Sequence, residues 1–190
     1  LDEYRNIVPV ISGDDWADYR PARPEDFVGR ATLLKDIFNY LNMVISGNSD
    51  TRLFSIKGPS GMGKSSVILK ISSMARSRRK SKSYFIYAVD VRTAISTRYA
   101  EMALKSCFEA ADSAGFTDTI HRDLEYTNMN NFWQSESVNK TLSYLKKENK
   151  LMVLIFDQFE ELFSKKELFG LFDNIRLLSN IIDAQKHNFV

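Results

Sequence analysis

The run Gly58-Pro59-Ser60-Gly61-Met62-Gly63-Lys64-Ser65 joins residue types and a spacing that bind phosphate. It fits glycine, four residues, glycine, lysine, serine or threonine without departure. Glycines leave the backbone free to wrap an anion, and successive N–H groups then point into one concavity. A helix beginning at the end of the loop adds its positive pole. Such a cradle suits the di- or triphosphate of a nucleotide, ATP or ADP, with Gly58 to Ser66 as the binding residues. Lys64 can reach the β- and γ-phosphates as a compact charge, and the Ser65 hydroxyl is placed to ligate Mg²⁺.

A second feature is Leu151-Met152-Val153-Leu154-Ile155-Phe156-Asp157, which sets a carboxylate at the carboxyl end of an apolar strand. Ligands of open α/β sheets bind at such ends. Asp157 is therefore the second expected magnesium residue with Ser65, although an aspartate here can also cap the next helix. Hydrolysis needs a group that positions the attacking water, and Gln158, Glu160 and Glu161 are close by. Glu160 is the first choice, because it shares a face with Asp157 if the strand turns directly into a helix. Glu161 is nearly as well placed, and either glutamate can instead solvate a helix turn. Gln158 can orient water but cannot act as a base. The expected catalytic set is Lys64, Asp157, Glu160 and Glu161.

These residues need elements to hold them. Residues 1–26, with Pro9, Pro21 and Pro24, read as a lead-in or linker, and 27–190 as the ATPase module. Leu33, Leu34, Ile37, Phe38, Leu41 and Ile45 mark a helix ending near Gly47. Leu53 to Ile56 reads as a short buried strand feeding the loop, and Ser65 to Ala75 as the helix behind it. Tyr84 to Val91 suits a second strand and Leu151 to Phe156 a third. Helices are expected near Thr97 to Ala111 and Ser135 to Glu148, with the polar stretch Asp118 to Asn131 between them. From Gln158 onward, Leu168, Leu171, Phe172, Ile175, Leu178 and Ile182 form one long helical stripe, and Phe189-Val190 opens a fourth strand. Continuous apolar strands alternating with helices predict an α/β fold, a mainly parallel sheet covered on both faces.

Composition narrows the classes. The chain has 190 residues, 44% hydrophobic and 12% aromatic, enough for a core, so global disorder is excluded. With 26 basic and 24 acidic residues, net charge favours neither nucleic acid nor membrane as main partner. Cys107 is the single cysteine, which rules out an internal disulfide and fits a reducing compartment. Its neighbours Ala100, Ala103, Leu104, Phe108 and Ala111 share its helical face, so it reads as a packed structural thiol. The apolar run Leu151 to Phe156 is far short of the roughly 20 residues needed to span a bilayer. His121 and His187 are isolated and read as surface residues. A first residue other than Met, and an apolar run starting at the last residues, read as a piece of a longer cytoplasmic protein.

Taken together, Phe27-Val28-Gly29-Arg30, the phosphate loop and Asp157-Gln158-Phe159-Glu160-Glu161-Leu162-Phe163 resemble the STAND family of signal-transduction ATPases. The last string is similar to that of the bacterial novel STAND branch, relatives of AAA+ proteins that often serve as anti-phage sensors. Tyr84 to Arg92 also resembles the family's strand with a trailing arginine. The resemblance implies a P-loop three-layer sandwich, incomplete at its C-terminus, and an ATP-driven switch that self-oligomerises between an effector and a sensor domain. It also implies that Val28 and Gly29 lie against the adenine. The family's downstream arginine sensor, lid and winged helix would follow Val190. Gln158 is a departure, since typical AAA+ proteins carry glutamate directly after the strand aspartate.

Three other readings use the same motifs. A replication-initiator-like AAA+ ATPase would bind DNA, with Arg76 to Lys82 as its support, although that tract lacks interleaved aromatics and reads as a solvated loop. A nucleotide-locked scaffold would bind ATP or ADP without turnover. A P-loop kinase fits less well, because no acceptor-site signature accompanies the loop.

Overall fold

The computed structural model describes residues 21–77, 82–118, 129–185 and 187–190. Two strands form its sheet, β1 (Tyr84–Asp90) and β2 (Leu151–Asp157), paired in parallel from Tyr84 opposite Leu151 to Asp90 opposite Asp157. Parallel neighbours need a crossover, here helices α3 (Tyr99–Ser113), α4 (Met129–Phe132) and α5 (Glu136–Lys147). On the far side of β2, Met152 makes a parallel bridge to Phe189. Val190 N–H donates to Met152 O at 3.0 Å and Leu154 N–H to Val190 O at 2.8 Å. Phe189-Val190 thus begins a further parallel rung, as expected.

Because side chains alternate across a strand, β1 and β2 feed two cores. Tyr84, Ile86, Leu151 and Val153 face one layer, formed by α1 (Ala31–Ile45) and α2 (Lys64–Ala75), where Ile37, Phe38, Leu41, Val67 and Ile71 are buried. Val89, Met152 and Leu154 face the other, formed by α3, α5 and α6 (Phe169–Gln185). Fully burying each such aliphatic side chain contributes about 1.5–3 kcal/mol, so both faces hold β2 and its terminal Asp157 in place. The predicted stripe of α3 is entirely interior, and burial pushes the Cys107 thiol pKa up. No helix among the described residues is long and apolar enough to cross a membrane.

Four expectations are corrected. Leu53 to Ile56 is not a strand: Leu53 is 65% exposed, and only Ile56 packs on the α1/α2 core. A strand needs a neighbouring ladder, and this segment pairs with none among the described residues. The second strand ends at Asp90, and Val91 opens a 3-10 turn (Val91–Thr93). The stripe after Gln158 is not one helix: two 3-10 turns, Phe159–Phe163 and Lys166–Leu168, precede α6. His187 is not a free surface residue, for its ring stacks on Trp133 with centroids 5.8 Å apart. His121 and the centre of the basic tract, 78–81, lie outside the described residues.

Candidate active site

The phosphate loop leads directly into α2, whose N-terminal cap is Gly63. Gly61 (φ 77°) and Gly63 (φ 73°) are left-handed, a conformation that costs a residue with a Cβ about 1–2 kcal/mol. The sequence supplies glycine at both turns. At a helix start the first N–H groups have no partner within the helix, so those of Lys64, Ser65 and Ser66 are available to an anion. The Ser66 side chain is committed elsewhere: its Oγ accepts from Ala22 N–H at 3.0 Å. Lys70 Nζ also donates to Pro24 O, at 2.7 Å, so the chain before α1 runs along the phosphate-loop helix.

Val28 and Gly29 reach the loop by that route. Val28 is 90% exposed, and Gly29 is left-handed at φ 84°. The next residue, Arg30, donates from its guanidinium to the Met62 carbonyl and ties this segment to the loop. The side chains of Val28 and Met62 are both exposed, apart from the buried core.

On the other side stands the end of β2. Asp157 is buried, and its Oδ1 accepts from the Gln158 N–H at 2.9 Å, which leaves carboxylate lone pairs for further partners. Gln158 is left-handed (φ 57°, ψ 36°), a strained state for a residue other than glycine. That turn prevents the strand from passing directly into a helix. It sends Gln158 Nε2 to within 3.4 Å of Ser65 Oγ, joining the strand end to the serine of the loop.

The same turn separates the two glutamates. Glu160 Oε1 lies 3.3 Å from Lys64 Nζ, which also donates to Gly58 O at 2.9 Å and Pro59 O at 3.3 Å. The charge of Glu161 acts instead on Arg92, less strongly than those of Asp90 and Asp157. Arg92 Nε is 3.0 Å from both oxygens of Asp90. That hydrogen bonding raises its pKa above the ordinary arginine value, burial opposes the rise, and the charges of Asp90, Asp157 and Glu161 reinforce it. Lys165 Nζ donates to Arg92 O at 2.9 Å, and the Tyr99 hydroxyl donates to Asp90 O at 2.7 Å. Burial, first among its causes, pushes the Tyr99 pKa up to about 12, so the hydroxyl keeps its proton.

The phosphate loop, Asp157 and Glu160 therefore converge, with Arg30, the neighbour of Val28 and Gly29, tied to the loop, while Asp90, Arg92 and Lys165 form a second cluster beside them. Sequence reasoning did not single out Asp90, although it ends β1 opposite Asp157 and the same strand-end signal could have found it. Arg30 was legible only as part of its motif.

A family model described as Novel STAND NTPase 1 (nSTAND1) matches residues 16–186. The chain belongs to this family. It is an NTPase of the STAND type, as the motifs around Gly58 and Asp157 led one to expect, and the match includes both. No curated protein and no solved structure matches the chain. Membership in the novel STAND NTPases implies use of a nucleotide, and among the described residues no group of three or more His, Cys, Asp and Glu could hold a metal by itself.

Proposed function

We propose that this novel STAND NTPase binds ATP with Mg²⁺ on Gly58 to Ser66, with Lys64 and Ser65 as the charged and hydroxyl partners, and hydrolyses it. The hydrolysis serves as the nucleotide-dependent switch of a larger signalling or anti-phage protein. The supporting observation is convergence: Gln158 meets Ser65 at 3.4 Å and Glu160 meets Lys64 at 3.3 Å, so phosphate loop and acidic strand end form one site. On this reading the layered sheet is a P-loop sandwich, residues 27–190 are the ATPase module, and 1–26 lead into it. Self-oligomerisation and effector and sensor partners in a longer cytoplasmic chain complete the proposal.

The donor set suits magnesium. That ion keeps several waters and takes one or two protein oxygens beside the substrate phosphates, and Ser65 Oγ and Asp157 would supply them. When bound, magnesium neutralises charge on the phosphates. The chain's own contribution is positioning. Loop amides and Lys64 hold the phosphates, with the positive end of α2 behind them. Asp157 holds Gln158, and Gln158 orients the Ser65 hydroxyl. A carboxylate, Glu160 before Glu161, orients water, and Val28 and Gly29 contact the base.

Lys64→Ala tests the assignment. Removing a charge-assisted donor worth about 1.5–3 kcal/mol should weaken ATP binding about 10- to 100-fold in a calorimetric titration. Unchanged affinity would sink the site.

A further inference from the structure

Lys64 has a single ammonium, and its side chain is 17% exposed. Two of its partners are carbonyls of the loop itself, Gly58 O and Pro59 O, and the third is the carboxylate of Glu160. A γ-phosphoryl oxygen reaching the same ammonium needs the place of that carboxylate, since both are anions of similar size seeking one cation. The glutamate backbone is fixed. Gln158 holds the left-handed turn, Glu161 N–H donates to Gln158 O at 3.0 Å, and Leu162 is 1% exposed. The Glu160 side chain is 50% exposed, so it can rotate into water while the turn stays in place. Other charged groups nearby do not share the task. Glu160 is the carboxylate that pairs with Lys64, while one Asp157 oxygen accepts from the Gln158 N–H.

We infer that Glu160 sets the preference of this site between nucleoside tri- and diphosphates: it is the resident counter-anion of Lys64, and the γ-phosphate must displace it. Resting on the proposed nucleotide site, the inference adds a role distinct from turnover. A diphosphate engages Lys64 through its β-phosphate and leaves the carboxylate more room. A triphosphate breaks the Lys64–Glu160 pair and then lies beside the displaced charge. The wild-type side chain thus lowers triphosphate affinity selectively. The displacement also frees a carboxylate next to the terminal phosphate, where water must be oriented, so one side chain acts first on affinity and then on turnover.

The test is calorimetric titration of wild type, Glu160→Gln and Glu148→Gln with the Mg²⁺ complexes of ADP and of the non-hydrolysable β,γ-imido analogue of ATP. Glu148 is exposed and precedes β2, roughly 20 Å along the strand from Asp157, and serves as the charge-matched control. For a partly exposed pair the expected effect is modest: Glu160→Gln binds the triphosphate analogue about fivefold tighter, with a less than twofold change for ADP. The gap narrows as salt is raised, and Glu148→Gln behaves as wild type. Equal or weaker binding of the analogue by Glu160→Gln, or an equal gain for both nucleotides, overturns the inference while leaving the nucleotide site standing. Failure of wild type and variant alike to bind either nucleotide overturns the site and the inference together.

Discussion

Replacing Arg52 with methionine should lower the melting temperature by about 5–10 °C. Arg52 is 5% exposed and sits at the start of the segment that leads to the phosphate loop. Its Nε donates to His187 O at 2.7 Å, and its Nη1 donates to Ser49 O at 2.6 Å and Thr51 O at 3.2 Å. The backbone N–H, which donates to Asp183 Oδ1 at 2.9 Å, survives the substitution. Two short charge-assisted hydrogen bonds are worth about 1.5–3 kcal/mol each. Part of that returns, because methionine carries no desolvation cost and the carbonyls of the half-buried Ser49 and the exposed Thr51 can rehydrate. A net loss of about 2–3 kcal/mol remains, and in a chain of this size each kcal/mol shifts the midpoint by about 2–4 °C. Thermal melts followed by far-ultraviolet circular dichroism would measure it, with the urea m-value expected to stay constant. A drop below about 2 °C would refute the claim that this cation ties the approach segment to the region before Phe189.

Other outcomes follow from the site. Gln158→Gly should leave stability within about 1 kcal/mol of wild type, since relief of the left-handed strain offsets the added chain entropy, while phosphate release falls at least about tenfold. A large stability loss with unchanged release would contradict a functional role for that turn. Glu160→Gln should retain ATP binding and lose turnover; retained turnover there with its loss in Glu161→Gln would reverse the assignment of the two carboxylates. Burial, followed by the charges of Arg52 and Lys146, holds the His187 pKa below its ordinary value. The unfolded chain therefore takes up this proton first, and the stability tied to neutral His187 is present above about pH 6.5 and lost as pH falls through the folded value. His187→Phe, which keeps a ring against Trp133, should lose less melting temperature than wild type between pH 7.5 and 5.5. Equal losses would show that His187 is not responsible.

The phosphate loop was legible because its chemistry is local: two left-handed glycines, a lysine and a serine within the five positions from Gly61 to Ser65. The interior face of α3 was legible for a similar reason, since Ala100 to Ala111 repeat every three or four residues. What escaped depended on partners distant in sequence. Leu53 to Ile56 has the composition of a buried strand, but hydrophobicity does not supply the ladder a strand needs. The break at Gln158 left no signal, because a glutamine in the left-handed region is imposed by its surroundings. The 3-10 turns after it bring residues three apart onto one side, and apolar spacing does not separate them from α6. Asp90 becomes part of the neighbourhood of Asp157 only through the register of β1 on β2. The choice of Glu160 over Glu161 was made on helical geometry that the chain does not adopt. The left-handed turn nonetheless brings Glu160 to Lys64.

The claim that this chain is a magnesium-dependent ATP-binding module is tested most directly by calorimetric titration of residues 1–190 with ATP in the presence and absence of magnesium, followed by phosphate release from the same sample. Saturable ATP binding strengthened by magnesium, lost in Lys64→Ala, is the predicted result. Absence of ATP binding in both conditions, from a sample shown by circular dichroism to be folded, would contradict it.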